Sequence, residues 1–427
     1  MMRNAFNRLW NNKRGNVIAI FGASLPLVVG AAGLATDTIQ WTLWKRQLQR
    51  TADSAAIAGV YDRESANGGT TTTQQSVDHD VEVNRHMVMA LLTTPQVTYP
   101  ANSGLMTNQV QVVLKVQQSL PFSSFFFSTP TIVATAQAAS IPAGGDACIE
   151  ALDRSSTTGV KFSGNSAIYM PDCDVFSNSA GANTAVAQGS TDVTANSVGG
   201  VGGIQQSAKF QVTAYRPYSP ALPDPFSGVT PNPADMNCGS GVALNENTNF
   251  ATLGTVNCFT SVSVGPSRTL TVPANFGPIY INGGGGIDLK GNFTCVGCTL
   301  VLTNKTAASP IGNLTVNATA NINISAPLTG TFKGLAIYQD RRATDCSNCN
   351  KVNGNSGSII TGGLYFPSRE LQYNGTGTST ATCTMFVAKR IEFTGNSGVS
   401  NKFKKLSDCS AFGLPSNATI RMVRMVG

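Results

Sequence analysis

The sequence predicts an α+β anchor, a transmembrane helix running into a helical spine with a small sheet, followed by an all-β domain built as a β-helix or solenoid. Three observations predict it. An uncharged apolar run lies near the N-terminus, the chain beyond it is rich in Gly, Ser, Thr and Asn, and all ten cysteines fall at or after Cys148.

Val17 to Thr36 reads VIAIFGASLPLVVGAAGLAT, twenty residues without a charge. At ~1.5 Å rise per residue a helix of this length crosses a ~30 Å hydrocarbon core. Helix is required because lipid offers the backbone no hydrogen-bond partner, and Pro26 is tolerated there as a kink. Residues 1–16 form a basic tail whose Arg3, Arg8, Lys13 and Arg14 act as topology determinants, since no acid occurs before Asp37. They predict a cytoplasmic N-terminus, an inner-membrane span over 17–36 and a periplasmic or extracellular bulk. The rival reading is a cleaved signal peptide with Gly30-Ala31-Ala32 as its small-residue site. Helical spacing continues straight through that cut, which favours the anchor.

From Asp37 to about Val60, Trp41, Trp44, Leu48, Ala52 and Ala55 make one apolar stripe at helical spacing. A second helix is expected from about Ser76 to Leu92, with Val77, Val81, Val88 and Leu91 on one side. Gln109 to Gln117 alternates as a strand, and Thr131 to Ala139 gives another, with Phe125 to Phe127 placed to close a core. Ile141-Pro142-Ala143-Gly144-Gly145 punctuates the chain and sets the boundary of a unit spanning 37–142.

The stretch KRGNVIAIFGASLPLVVGAAGLATDTIQWTLWKRQLQRTADSAAIAGV resembles the N-terminal module of TadE/TadG-like Flp pilus assembly proteins. The resemblance rests on Arg14-Gly15-Asn16, Pro26, Gly33-Leu34-Ala35-Thr36-Asp37, Gln47-Leu48-Gln49 and Ala52-Asp53-Ser54-Ala55-Ala56. It implies a membrane-anchored role in Flp pilus assembly or tight adherence, with other Tad pilus-assembly proteins and the inner membrane as partners, and the helical spine capped by a small sheet expected over 37–142 is itself a pilin-like arrangement. The related pseudopilins carry a Glu five residues after the processing glycine. Ile20 holds that place here and argues against prepilin-peptidase cleavage after Gly15. Longer relatives carry a metal motif of the form Asp-x-Ser-x-Ser, which Asp153-Arg154-Ser155-Ser156-Thr157 mimics. The surrounding residues do not alternate strand and helix as that fold needs, so this stretch reads as a hydroxyl-rich turn.

Residues 148–427 form the β-rich exported domain. Ser166 to Met170, Thr299 to Leu302 and Ser358 to Thr361 are strand candidates between Gly/Asn/Ser turns. Phe162-Ser163-Gly164-Asn165-Ser166 recurs as Phe393-Thr394-Gly395-Asn396-Ser397, with fainter echoes at Gly291-Asn292 and Gly354-Asn355-Ser356. Each full copy lies between two cysteines, Cys148 and Cys173 or Cys383 and Cys409, at nearly equal spacings close to one coil of a stacked β architecture. Asn178 to Asp235 has poor periodicity, and five prolines from Pro217 to Pro231 mark it as an excursion or linker. An all-β sandwich is the alternative for this domain.

In an oxidising compartment the cysteines Cys148, Cys173, Cys238, Cys258, Cys295, Cys298, Cys346, Cys349, Cys383 and Cys409 are disulfide candidates. The two CxxC pairs, Cys295/Cys298 and Cys346/Cys349, have the spacing of a four-thiolate zinc site, the competing reading. His79 and His86 lie seven apart near Asp78, Asp80 and Glu82 but lack any HExxH or nucleophile partner, so they read as a solvated helix face. The Gly283–Gly286 run lacks the Lys-Ser/Thr of a phosphate loop. The net charge of +7 is scattered and excludes a concentrated nucleic-acid face. The chain is thus expected to be a structural protein without cofactor or catalytic residues. A surface adhesin or glycan- or host-surface-binding β protein is the alternative, and a secreted carbohydrate-active enzyme comes third.

Overall fold

The computed structural model describes residues 16–85, 90–125, 128–353, 358–374, 383–395, 398–399, 409, 411–415 and 419–426. Arg3, Arg8, Lys13, Arg14, His86, Val88, Phe126, Phe127, Gly354-Asn355-Ser356, Asn396 and Ser397 lie outside the described residues. The chain divides into two compact units, 1–141 with 423–427, and 142–422.

In the first unit, α1 (Asn16–Ser65) is one uninterrupted helix of 50 residues, about 75 Å long. Pro26 lies inside it without ending it. Its first half leaves Ile20, Phe21, Leu25, Leu27 and Val28 exposed, whereas Leu48, Ala52, Ala55, Ala56 and Val60 are buried. A second helix, α2 (Thr73–Asn84), turns Val77 and Val81 inward. It stops short of the expected Leu92 because Arg85 goes over to extended backbone, and Leu91 instead bridges Val116.

Three antiparallel strands complete this unit: β1 (Gln96–Thr98), β2 (Thr107–Gln117) and β3 (Thr131–Ala151). Alternate residues of β2 and β3 meet the helix: Val110, Val112, Leu114 and Val116, then Ile132, Ala134, Ala136 and Ala138. Small residues on both partners let the backbones approach closely. At Gly59 an added Cβ would stand 2.9 Å from Val110 Cγ1 and 3.1 Å from Val77 Cγ2. The Ile141–Gly145 stretch is part of the continuous strand β3 and does not break it, and the division between the two units falls within this stretch, at Ile141/Pro142. Residues 423–427 return to this unit, where Val426 N donates to Gln137 O at 2.9 Å.

The second unit is built of parallel strands, which sets it apart from the antiparallel sandwich alternative. One stack runs through Cys258–Phe259, Gly277–Asn282, Cys298–Thr303, Leu335–Gln339, Ile359–Tyr373, Thr384–Phe393, the end of β3, Ala167–Ser177, Asp192–Gly200 and Phe210–Arg216. A second stack links Val262–Val264, Ile287–Leu289, Leu314–Val316, Asn350–Val352, Tyr373, Phe393, Val160–Phe162 and Ala185–Ala187. A third begins at Thr269–Thr271 and passes through Asn292–Val296 and Asn321–Ser325 to Ile359. On either side of one seam, successive members of each stack come from successive turns of the chain, which is a solenoid-like arrangement. Its core is the continuous apolar cluster that holds Phe162, Phe176, Phe293, Tyr338, Phe366 and Phe393.

The order of the stack is not the order of the chain. The first coils, from the end of β3 to Arg216, stack away from the Thr384–Phe393 strand. The later coils start at the far end with Cys258 and wind back until Thr384–Phe393 pairs with both β3 and Val160–Phe162. The internal repeat follows from this seam: Phe393 sits in register with Phe162, and their rings stack at 5.1 Å and 12°. Both glycines of the repeat have positive φ, +76° at Gly164 and +81° at Gly395, and an added Cβ on Gly164 would stand 2.9 Å from Gly395 N.

Asn178 to Asp235, expected to be a linker, contains three strands, Ala185–Ala187, Asp192–Gly200 and Phe210–Arg216. Only a few inward positions need be apolar in such strands, here Val193, Ala195, Val198 and Phe210, so periodicity over the whole stretch is weak. The irregular excursion begins after Arg216, and it is pinned as a strap across the rungs. Ser219 N donates to Gly200 O, Leu222 N to Asn178 Oδ1 at 2.8 Å, and Lys305 Nζ to Met236 O at 3.2 Å. Cys238 is bonded to Cys258 at the far end.

Candidate functional site

The first unit places its contacts along α1 in one consistent order. Arg63 Nη1 donates to Gln109 O at 2.8 Å, Gln49 Nε2 to Thr135 O at 2.9 Å, and Lys45 Nζ to Val133 O. The β2–β3 hairpin therefore lies along the second half of α1 with its loop directed toward the apolar first half. At the loop, the backbone N–H groups of Phe122 and Ser123 and the Ser123 hydroxyl all donate to the Asp37 carboxylate, the Phe122 bond at 3.1 Å. Asp37 is only 2% exposed. Burial pushes its pKa up, but the bonds from Ser123 and Phe122 outweigh this and hold the carboxyl below its usual range. One turn earlier, the Phe122 ring lies on Gly33, where an added Cβ would stand 2.4 Å from the ring.

Asp37 and Gly33 thus mark a junction at which exposed apolar helix gives way to helix buried under the sheet. Trp41 is 40% exposed and Trp44 packs at the edge of the core, just beyond that junction. The sequence pattern located the helix. It could not show that Gly33 and Asp37 hold the loop, because their partners lie some eighty residues away in an uncharged stretch.

The second unit carries a polar cluster beneath the strap. Arg341 Nη1 donates to Val229 O at 2.9 Å, and its Nη2 to Phe226 O at 2.5 Å and Asp224 Oδ2 at 3.2 Å. The Tyr365 hydroxyl donates to the same carboxylate at 2.6 Å, and Tyr338 donates to Val229 O at 3.1 Å. Burial, followed by the Asp224 charge, pushes the Tyr365 phenol well up. Glu150 is fully buried, its Oε2 has no hydrogen-bond partner, and burial followed by the nearby Asp224 charge pushes its pKa far above the carboxylate range. This pair of acids was not visible in the sequence, since one lies on a strand and the other on the irregular strap.

Arg390 gathers three further acids, with Asp153 Oδ2 at 3.0 Å, Asp345 Oδ1 at 2.8 Å and Glu370 Oε2 at 3.6 Å. Asp153 also accepts the Ser155 N–H at 3.0 Å, so the stretch that mimics a metal motif is a turn fastened to an arginine. A groove of about 420 Å³ beside it is lined by Arg154, Asp345, Ser368 and Lys389. A larger cavity of about 660 Å³ is lined by Asn257, Asn275, Tyr280, Thr299, Ser325 and Phe332, among others, with Asp235 as its charged side chain.

The ten cysteines form five bonds: Cys148–Cys173, Cys238–Cys258, Cys295–Cys298, Cys346–Cys349 and Cys383–Cys409. The CxxC pairs are each closed on themselves and not gathered into one site. No group of three or more His, Cys, Asp or Glu suited to a metal ion occurs among the described residues. His79 is exposed on α2, while Asp78 and Asp80 accept bonds from Gln74 and Ser54. Gly283–Gly286 is a turn packed on the preceding coil, with 2.2 Å between an added Gly285 Cβ and Thr260 O.

No curated protein and no solved structure matches this chain. A family model does match, over residues 15–62, which run from the apolar half of α1 through the Gly33/Asp37 junction to the alanine-lined half: its description is Flp pilus-assembly TadE/G-like.

Proposed function

We propose that this chain is a membrane-anchored structural component of Flp pilus assembly or tight adherence that performs no chemistry of its own. In this reading the N-terminus is cytoplasmic, α1 crosses the inner membrane, and the hairpin unit and solenoid lie on the exported side, where other Tad pilus-assembly proteins bind them. The observation that carries it is the division of α1 at Asp37 into an exposed apolar half and a buried half, within the residues that match the family. The five disulfides support an oxidising compartment for the solenoid. The test is fractionation with intact-mass measurement after alkylation. A full-length, membrane-bound chain with no alkylatable cysteine is expected. A soluble chain beginning near Gly33 would overturn the anchor.

One observation favours a second reading, glycan binding. The 660 Å³ cavity combines amide and hydroxyl side chains with the Tyr280 and Phe332 rings and has no cation in its lining. Such a lining suits a neutral, hydroxyl-rich ligand. Binding on a glycan array that is lost in Tyr280→Phe and Asn275→Ala would favour this reading, and an array without binding would remove it.

A further inference from the structure

We infer that the 120–124 turn of the β2–β3 connection is a second membrane contact, dipping into the interface of the exported leaflet beside the anchor helix. The inference rests on the anchor reading above. Its first ground is position. Gly33 precedes Asp37 by four residues, so the two lie on one face of α1, and Gly33 sits about 6 Å closer to the membrane centre. The Phe122 ring rests on Gly33 itself, so the loop reaches down beside the uncharged Val17–Thr36 stretch.

The second ground is composition. No charged residue occurs between Lys115 and Asp146, and the turn beside the helix reads Leu120-Pro121-Phe122-Ser123-Ser124. Interfacial segments bury their apolar side chains roughly 5–10 Å into the headgroup and acyl boundary, the depth at which Gly33 holds Phe122.

The third ground is how the loop is held. Its two polar backbone groups nearest the helix, the N–H groups of Phe122 and Ser123, are both satisfied by Asp37. The loop can therefore enter a less polar zone without stranding those donors, which in lipid would be costly. Just above, the exposed Trp41 and the basic Lys45 and Arg46 lie at headgroup level, as interfacial side chains do. Two points of contact, helix and loop, fix the rotation of the hairpin unit about the α1 axis, which a single helix leaves open.

The experiment uses the full chain in liposomes, oxidised, with bimane placed on Ser124→Cys or, separately, on Ile20→Cys. Quenching is read with lipids brominated at shallow or deep acyl positions. Both labels are expected to be quenched, Ser124→Cys by the shallow bromines and Ile20→Cys by the deeper ones. Adding Asp37→Ala should lower the Ser124→Cys quenching severalfold and leave that of Ile20→Cys unchanged, and Gly33→Leu, which displaces the ring, should do the same. A Ser124→Cys label that stays unquenched and open to aqueous iodide while Ile20→Cys is quenched overturns the loop contact alone. If Ile20→Cys is also unquenched, it is the anchor reading that fails. Ser124→Cys quenching that survives both Asp37→Ala and Gly33→Leu overturns the holding role of those two residues.

Discussion

The hairpin unit and the solenoid cover their apolar side chains by different means. The first is organised around one helix and achieves close contact through small residues, Ala52, Ala55, Ala56 and Gly59 against an alanine-rich strand, with no cysteine anywhere in it. The second repeats one cross-section many times, fills it with aromatic rings, and ties neighbouring coils and the strap with disulfides. In the first, order comes from a single element to which everything else is registered. In the second, each coil depends on its neighbours, and the chain order is interrupted at the seam where Thr384–Phe393 meets β3. A local change should therefore act at short range in the solenoid and along the whole helix in the hairpin unit. No tryptophan occurs beyond Trp44, and Trp41 and Trp44 lie in the first unit, so tryptophan emission does not report the solenoid while the far-ultraviolet β signal follows mainly the solenoid.

The largest effect is expected at the seam. Arg390→Ala would leave Asp153 and Glu370 partly buried and unpaired, and breaking such a pair from one side costs about 3–5 kcal/mol. The β signal should then melt at lower denaturant concentration while tryptophan emission keeps its midpoint. A joint shift of both signals would show that the two units are not independent. Next in size is Cys148→Ser with Cys173→Ser. Their bond closes a loop with a sequence separation of 25, and in the chain-entropy account a loop of that order is worth roughly 3 kcal/mol. Full reduction of the native chain, which opens this bond together with the other four, should lower the same midpoint by at least as much, again without moving the tryptophan transition.

Gly59→Ala turns the comparison round. Its Cβ would press on Val110 and Val77, and overpacking of this kind costs about 1–3 kcal/mol. Here the tryptophan transition should move and the β signal of the solenoid should stay. Unchanged emission would mean that Val110 and Val77 move aside without loss.

Much of the first unit was legible in the sequence, and less of the second, for a physical reason. The apolar run, the Trp44–Leu48–Ala52–Ala55 stripe and the Val110–Val116 alternation are local patterns, and each has a period that only one element satisfies. The solenoid strands SAIYM, TLVL and SIIT were legible in the same way, and all three lie in strands apart from the leading Ser166 and Ser358. What the sequence hid was adjacency. The two copies of the Phe-x-Gly-Asn-Ser repeat are neighbours in the stack although 230 residues separate Ser163 from Phe393. The strands between Asn178 and Arg216 were missed because glycine and serine fill positions where side chains would collide, as at Gly199 against Phe176 and Gly200 against Thr184. The grip of Asp37 and Gly33 on the loop, and the meeting of Glu150 with Asp224, have no local signature at all.

Glu150 offers a smaller effect, of opposite sign to the others. With its pKa raised in the fold, the folded chain keeps a proton that the unfolded chain releases near the ordinary carboxyl value. Stability should then fall as pH rises from about 4.5 through the folded pKa. Glu150→Gln keeps the shape of the neutral acid and removes that slope. The variant should match the parent near pH 4 and exceed it at pH 8 by about 1–3 kcal/mol, the cost of a buried group left without a partner. A parent whose melting temperature is the same at both pH values would argue that Glu150 stays charged and paired.

Asp345 should give the smallest effect and the opposite pH sign. The Arg390 bonds, followed by those of Lys389, hold its carboxyl down at about 2. Because the folded pKa lies below the unfolded one, the contribution is present above about pH 4 and is lost as pH falls through the folded value. The side chain is 44% exposed, so solvent screens the pair and its worth is on the order of 0–1 kcal/mol. Asp345→Asn should therefore lower the solenoid midpoint slightly at pH 7 and progressively less as pH falls toward 2, with the difference shrinking in high salt. Equal loss at both pH values would place the role of Asp345 in the packing of its turn and not in its charge, and Arg390 would then owe its hold on the seam to Asp153 and Glu370.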